Sequence, residues 1–163
     1  MYLLDANVFI NAYRDYYSFD IAPNFWNRLI SLAGSSQICS IDKIKSELCT
    51  NPTEPDQLHI WTAQQFEAYF RETAAEDVIQ AYAEIQQWAN DNPQFFDYAK
   101  SEFASNADAW LIAYAKAKRC TVVTHESYSP DTKKRILIPV VCVQFGIPYM
   151  NTFEMLRELE VVL

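Results

Sequence analysis

Four acidic residues of the sequence stand at boundaries between apolar and polar stretches, where side chains are well placed to do chemistry. They are Asp5, Glu47, Asp108 and Glu126. Asp5 and Glu126 each follow an apolar strand candidate at once. Glu47 and Asp108 lie in segments of helical periodicity next to those strands. A lone carboxylate buried at such a boundary costs several kcal/mol, so a cation or a hydrogen-bond donor must lie beside Asp5.

The chemistry of a carboxylate cluster is that of a hard metal ion. Ligands of open parallel α/β sheets bind at the carboxyl ends of the strands, the edge at which Asp5 and Glu126 should meet. Carboxylates a few ångströms apart repel each other unless a divalent cation neutralises them. Oxygen ligands favour Mg²⁺ or Mn²⁺, and such an ion activates water and stabilises a phosphoryl group during its transfer.

The same residues also admit interpretations without a metal. Glu47 alone is typical of a solvated helix residue, and Asp108 of a partner for the helix dipole in a first turn. A buried salt bridge with Arg or Lys would equally satisfy Asp5. The residues by themselves leave these alternatives open.

The charge of the chain limits its partners. The 163 residues carry a net charge of −8, with a pI of about 4.7. An acidic field weakens non-specific binding of nucleic acid, so a nucleic-acid substrate requires a local basic strip or a bridging metal. The same field suits a basic protein partner. With only two glycines, Gly34 and Gly146, neither a G-x-G-x-x-G motif nor a phosphate-binding P-loop can be written.

Cysteine usage and hydropathy predict a cytoplasmic protein. None of the four cysteines forms a C-x-x-C pair, and all lie among apolar residues, which is typical of reduced buried thiols. No apolar run approaches the ~18–20 residues of a membrane span. Asp5 also interrupts the first apolar run where a signal peptide would continue. We therefore expect no membrane association.

Strand candidates alternate with helical segments along the chain, which predicts one α/β domain with a parallel sheet. The strand candidates are residues 2–4, 37–40 and 120–124. Helical periodicity marks residues 25–32, 41–49, 73–90, 95–103, 106–118 and 152–159. Thr73 and Glu76 form a capping-box pattern at the start of the strongest helix. Two predictions remain for Leu58–Phe70: a helix around Trp61, or a strand followed by a loop.

Three motifs resemble those of the PIN-domain nucleases. Residues 3–10, Leu-Leu-Asp-Ala-Asn-Val-Phe-Ile, look like the opening strand and acid of that family. Residues 106–115, Asn-Ala-Asp-Ala-Trp-Leu-Ile-Ala-Tyr-Ala, resemble its downstream helix, in which an acid precedes an Ile-Ala-x-Ala pattern. Residues 122–126, Val-Val-Thr-His-Glu, resemble the strand and acid that follow. The order and separations of the three motifs match across nearly the whole chain.

That resemblance implies a PIN-like (Rossmann-like) α/β/α sandwich with a central parallel sheet over residues 1–163. It implies a Mg²⁺- or Mn²⁺-dependent ribonuclease that hydrolyses RNA phosphodiester bonds. Many members are toxins of VapBC-type toxin–antitoxin pairs, so an antitoxin protein is an expected partner beside RNA. The aromatic excess and the family are also compatible with a homodimer. Residues 58–103 would be a helical, aromatic-rich insertion, because this stretch is longer than in the compact toxins.

The resemblance also implies roles for single residues. The metal-binding and catalytic residues would be Asp5, Glu47, Asp108 and Glu126. Glu126 stands at the fourth acidic position, where the family more often has Asp, and Asp131 is the alternative for that role. Asn7 and Thr124 would orient ligands or water around the metal.

A basic run follows the loop after Glu126. Lys133, Lys134 and Arg135 are near enough in sequence to bind the phosphates of a substrate held at the acids. A solvated loop is the alternative interpretation of these three residues.

Two other functions compete with a nuclease. One is a catalytically silent PIN-like module that binds RNA or protein, against which the intact set of four acids argues. The other is a small phosphatase-like enzyme that uses the same acids. The chain lacks the D-x-D pattern that is typical of aspartyl-phosphate chemistry.

Overall fold

A sheet of five parallel strands runs through the centre of the chain. The computed structural model describes all of residues 1–163 and orders the strands β3-β2-β1-β4-β5. They are β1 Tyr2–Leu4, β2 Ile38–Ile41, β3 Phe70–Arg71, β4 Thr121–Val123 and β5 Tyr149–Met150. Leu3 lies opposite Cys39 on one side and Val122 on the other. The order reverses at β1, as in doubly wound sheets, whose right-handed crossovers place helices on both faces.

Nine α-helices connect and cover these strands. They are α1 Ala6–Asn11, α2 Pro23–Gly34, α3 Asp42–Leu48, α4 Gln57–Trp61, α5 Glu76–Asp91, α6 Asp97–Ser105, α7 Asp108–Lys118, α8 Ile138–Phe145 and α9 Thr152–Glu158. A parallel sheet flanked by helices confirms the predicted α/β fold. None of the helices is both long and apolar enough to cross a lipid bilayer.

The segment that the sequence leaves open, Leu58–Phe70, is helical and then extended. Helix α4 continues as a π-helical turn, Thr62–Phe66, and a 3₁₀ turn, Glu67–Tyr69, before strand β3 begins at Phe70. Strand β3 pairs with the end of β2. The helix around Trp61 is therefore the correct alternative, and only Phe70 at the end of the segment is extended.

The predicted capping box of α5 is wrong. This helix begins at Glu76 instead of Thr73, and no side chain caps it. Thr73 is buried, and its hydroxyl donates to Asp42 Oδ1 at 2.9 Å while its amide donates to Asp42 Oδ2 at 3.3 Å. Because these bonds hold Thr73 against the start of α3, its side chain is not available to cap α5.

Local residues define two other helix ends. Asn151 Oδ1 accepts from the Glu154 amide at 3.0 Å, and Glu154 Oε2 accepts from the Asn151 amide at 2.9 Å, so a capping box starts α9. Gly146 ends α8 with a φ of +67°, a left-handed conformation that is cheap only for a residue without Cβ.

The middle of the chain belongs to the same hydrophobic core as the sheet. The ring centroid of Trp61 lies 4.9 Å from that of Trp26 in α2, and that of Phe66 lies 5.3 Å from that of Phe9 in α1. Such pairs contribute about 0.5–1.5 kcal/mol each beyond the burial of their area. These residues therefore fix α1 and α2 in place. That residues 58–103 are an insertion into a smaller PIN domain stays a prediction.

We expect Phe66→Ala to lower the free energy of unfolding by about 3–5 kcal/mol, the usual cost of deleting a buried phenyl ring. Phe66 is fully buried, and its ring contacts those of Phe9, Trp61 and Phe70. Urea denaturation followed by circular dichroism measures the change. Ile21→Ala is the control, because Ile21 is 78% exposed and its truncation should cost less than about 0.5 kcal/mol. Equal effects of the two substitutions would contradict this packing.

Candidate active site

Asp5 lies at the carboxyl end of β1 and is also the N-cap of α1. Its Oδ1 accepts from the Ala6 amide at 2.7 Å, and its Oδ2 accepts from the Thr124 hydroxyl at 2.9 Å. The residue is buried, and no Lys or Arg forms an ion pair with it. Asp5 therefore does not form the buried salt bridge with Arg or Lys that the sequence left open. Neutral donors stabilise it instead.

Thr124 and Asn7 hold the end of β4 against the end of β1. Thr124 Oγ1 accepts from Asn7 Nδ2 at 3.1 Å and from the Glu126 amide at 3.2 Å. Asn7 Oδ1 accepts from the His125 amide at 3.1 Å. A hydroxyl has one proton, so these two incoming donors direct the proton of Thr124 to Asp5. The network therefore sets the orientation of the Asp5 carboxylate.

Asp108 is the first residue of α7 and is nearly as buried as Asp5. The Asp108 amide donates to Asn106 Oδ1 at 3.0 Å, so Asn106 helps to begin this helix. The Asp108 carboxylate has one charged neighbour of opposite sign, Arg135, whose Nη2 lies 3.9 Å from Oδ2. At that distance the pair is an ionic contact without a good hydrogen bond.

Both oxygens of Glu126 are engaged within the chain. Arg135 Nη2 donates to Oε1 at 2.7 Å, and the amide of Ile138, the first residue of α8, donates to Oε2 at 2.7 Å. A carboxylate at a helix N-terminus is stabilised by the free amides and by the helix dipole. Glu126 therefore has a structural role in starting α8, in addition to any role in chemistry.

Burial and mutual repulsion control the charges of the acids. Burial, together with the charges of Asp5, Glu126 and Glu47, raises the pKa of Asp108 to about 8 against the opposing effect of Arg135. Burial likewise raises the pKa of Asp5 to about 7, opposed first by the Thr124 hydroxyl. Glu47, on the exposed side of α3, has a pKa that partial burial raises and the Ala107 backbone amide lowers. The fold thus brings Asp5, Glu47 and Glu126 within electrostatic reach of Asp108.

These acids fit a divalent cation only in part. Asp5 and Asp108 supply hard oxygen donors whose burial and repulsion a cation would offset. However, no three His, Cys, Asp or Glu side chains are arranged closely enough to hold a metal ion as they stand. Glu126 does not complete such a metal site, because Arg135 and the start of α8 occupy both its oxygens.

Sequence reasoning missed the hydroxyl pair around His125. His125 Nε2 lies 2.9 Å from the Tyr16 hydroxyl and 2.8 Å from the Thr152 hydroxyl. Burial lowers the pKa of His125. The ring thus joins the π-helical turn Ala12–Tyr16 and the start of α9 to the end of β4. No sequence motif predicts this contact, because its three residues lie far apart in the chain.

The other residues that the sequence singled out, Asp131 and the basic run Lys133–Arg135, are exposed. Asp131 is exposed and makes no hydrogen bond or ion pair, whereas Glu126 contributes to the raised pKa of both aspartates. Lys133 and Lys134 are exposed and unpaired. Arg135 differs from these two lysines, because it pairs with acids of the site itself.

We expect Asp108→Asn to stabilise the metal-free protein at pH 8. A carboxyl whose pKa is raised in the folded state contributes stability below its unfolded pKa, near 4, and loses it as pH rises through the folded value of about 8. Asparagine keeps the shape without the charge. The free energy of unfolding should rise by about 1–3 kcal/mol at pH 8, after allowance for solvent near the site, and by much less at pH 4.

Urea unfolding in EDTA at both pH values measures this difference. Asp77→Asn is the matched control, because Asp77 also lies in the first turn of a helix but has its pKa lowered by Lys118. Its loss should slightly destabilise the protein at pH 8. A destabilised Asp108→Asn protein at pH 8 would show that the Asp108 charge is satisfied within the chain.

Solved structures of known proteins share the fold of this chain. The chain aligns over 94% of its length with a crystal structure of FitAcB from Neisseria gonorrhoeae, covering 99% of that chain at 19% identity and a TM-score of 0.58. It aligns over 92% of its length with VapBC2 from Rickettsia felis bound to a DNA fragment from its promoter, covering 97% of that chain at 14% identity and a TM-score of 0.53. These likenesses confirm the PIN-type fold.

Sequence comparisons identify the family. No curated protein matches the chain in sequence. The model of one family, described as a domain of unknown function, DUF4411, matches residues 2–163. Because this match spans almost the whole sequence, the chain belongs to the DUF4411 family.

Proposed function

We propose that the protein is a metal-dependent endoribonuclease that hydrolyses RNA phosphodiester bonds with Mg²⁺ or Mn²⁺. The observation that carries this proposal is the buried pair Asp5 and Asp108 at the carboxyl edge of the sheet, where each raises the electrostatic cost of the other. A divalent cation offsets burial and repulsion together, which the neutral hydroxyl of Thr124 cannot do. The likeness in fold to FitAcB and VapBC2 supports the same class.

Each residue of the site has a separate task in this proposal. Asp5 and Asp108 would hold the ion, together with Glu47 and Glu126. When bound, Mg²⁺ supplies the Lewis acidity that activates water and stabilises charge on the phosphoryl oxygens. The Thr124 hydroxyl and the Ala6 amide keep the Asp5 carboxylate oriented. No Ser or Cys nucleophile is required.

We also propose that the protein is a VapC-like toxin that an antitoxin protein holds in the cytoplasm. FitAcB and VapBC2 support this proposal, and VapBC2 is bound to DNA from its promoter. The net charge of −8 suits a basic segment of such a partner. Dimerisation through a surface of this chain would be compatible with the same assembly.

A second candidate function is a catalytically silent PIN-like module that binds RNA or protein. The observation that favours it is the engagement of Glu126, whose two oxygens contact Arg135 and the start of α8. A permanent salt bridge at this position would leave the site without its fourth acid. The two candidate functions therefore differ in whether Glu126 can leave Arg135 to bind a metal ion.

Cleavage of a mixed single-stranded RNA pool should require Mg²⁺ or Mn²⁺ and fall at least about 100-fold in Asp5→Asn and in Asp108→Asn. Each substitution removes a charge that binds the ion while it keeps the shape of the side chain. Gel electrophoresis of the products measures the rate. Asp77→Asn, on the exposed start of α5, should cleave at the wild-type rate. An inactive wild-type protein, or equal cleavage in EDTA, would overturn the nuclease proposal.

Arg135→Gln should bind Mg²⁺ about three- to tenfold more tightly than the wild type, as measured by calorimetry without RNA. The guanidinium repels an incoming cation and holds one oxygen of Glu126. Lys134→Gln is the matched control: it removes the same charge, but Lys134 has no ion pair with the acids, so its affinity should change less. Weaker binding by Arg135→Gln would mean that the salt bridge preforms the site.

A further inference from the structure

Two exposed aromatic rings lie beside the lysines of the basic run. Phe96 precedes α6 and is 45% exposed, and Tyr98 in the first turn of α6 is 56% exposed. The centroids of the two rings are 5.7 Å apart. We call the surface formed by Phe96, Tyr98, Lys133 and Lys134 the aromatic–basic ledge.

Hydrogen bonds fix the two parts of the ledge to each other. The Phe96 amide donates to the Lys133 carbonyl at 3.0 Å. Gln94 Nε2 donates to the carbonyls of Pro130 at 2.6 Å and Thr132 at 2.8 Å. The basic loop is therefore held at a defined distance from the aromatic rings, which a freely solvated loop would not be.

A hollow with apolar walls lies within the ledge. It has a volume of about 370 Å³ and is lined by Phe96 and by the four consecutive residues Thr132–Arg135. Such a hollow has room for a planar ring next to the Phe96 side chain. Base–aromatic stacking is the interaction by which proteins hold unpaired nucleotides without reading their sequence.

The ledge carries two adjacent positive charges without an ion pair. Of the thirteen Lys and Arg residues of the chain, Lys45, Lys116, Lys118 and Arg135 pair with acids. Lys133 and Lys134 are neighbours in sequence, are exposed and pair with none, in a protein of net charge −8. Their charges are therefore free to meet an anionic ligand.

The ledge is continuous with the acidic site. Arg135 lines the hollow, and its guanidinium is 2.7 Å from Glu126 and 3.9 Å from Asp108. Arg135 therefore links the hollow to Glu126 and Asp108.

We propose that the aromatic–basic ledge binds an unpaired RNA strand, with phosphates on Lys133 and Lys134 and bases stacked on Phe96 and Tyr98. This inference rests on the proposed function, because it takes RNA to be the substrate. Stacking needs bases whose faces are free, so the ledge selects single strands over duplexes. An acidic peptide would use the lysines but would gain nothing from stacking on the two rings.

Fluorescence anisotropy in EDTA, with a labelled ten-nucleotide RNA of mixed sequence, tests the ledge without cleavage. Phe96→Ala and Tyr98→Ala should each weaken binding of the single strand about tenfold. Binding of a duplex of the same length should be weaker and insensitive to both substitutions. Lys133→Ala with Lys134→Ala should weaken binding of both RNAs and reduce the salt slope for the single strand by about 1.4.

Two controls separate these effects from general losses of charge or fold. Lys116→Ala with Lys118→Ala removes the same charge at the far end of α7, and should change binding much less than the ledge pair. Phe96→Trp retains an aromatic face and should keep the wild-type affinity. Circular dichroism of each variant should match that of the wild type, since all the substituted ledge side chains are exposed.

The outcomes distinguish the ledge from the proposed function. The proposal that the ledge binds RNA is overturned if the wild type does not bind the single strand or if the aromatic variants bind it normally. It is also overturned if polyglutamate competes as well as RNA of equal charge. Polyglutamate competition would indicate an acidic protein partner instead. A ledge that binds RNA in a protein that cleaves none with Mg²⁺ would overturn the nuclease proposal alone.

Discussion

The burial of two like charges, Asp5 and Asp108, at the carboxyl edge of the sheet is the constraint on which the site depends. The backbone imposes it, because Asp5 caps α1 at the end of β1, while Asp108 begins α7. Helix α7 packs against both β2 and α3, so the two acids cannot separate without breaking the core. Their repulsion must therefore be offset by a proton, by a cation of the chain or by a bound cation.

The residues around the two aspartates respond to this constraint in different ways. The Thr124 hydroxyl stabilises and orients Asp5 without adding charge. Arg135 adds charge near Asp108, but from the exposed rim and through Glu126. Glu126 is thus shared between the start of α8, an internal cation and the acidic site. This shared position explains how four acids lie within electrostatic reach although no three of them form a metal site as they stand.

The long middle of the chain has two roles that its composition does not distinguish. In its first part, Trp61 and Phe66 belong to the core, because their rings pack against Trp26 and Phe9. They thus hold α2 and α1, the helix that begins next to Asp5. Its last part leaves Phe96 and Tyr98 exposed beside the basic run. The same residue type thus stabilises the sheet at one end of the segment and forms a surface next to the acids at the other.

The sequence by itself determined the α/β class and strands β1, β2 and β4, because buried apolar runs and helical periodicity are local signals. It also predicted Asp5, Glu47, Asp108 and Glu126 as candidate site residues. It did not reveal β3 and β5, which have two residues each and exist only through pairing with neighbouring strands. It also assigned Thr73 to a helix cap, which a long-range bond to Asp42 overrides. Only the tertiary structure decided that Arg135 pairs with Glu126 and that Thr124 holds Asp5. Such contacts join residues distant in sequence, and their energy arises from burial and charge, which no local pattern records.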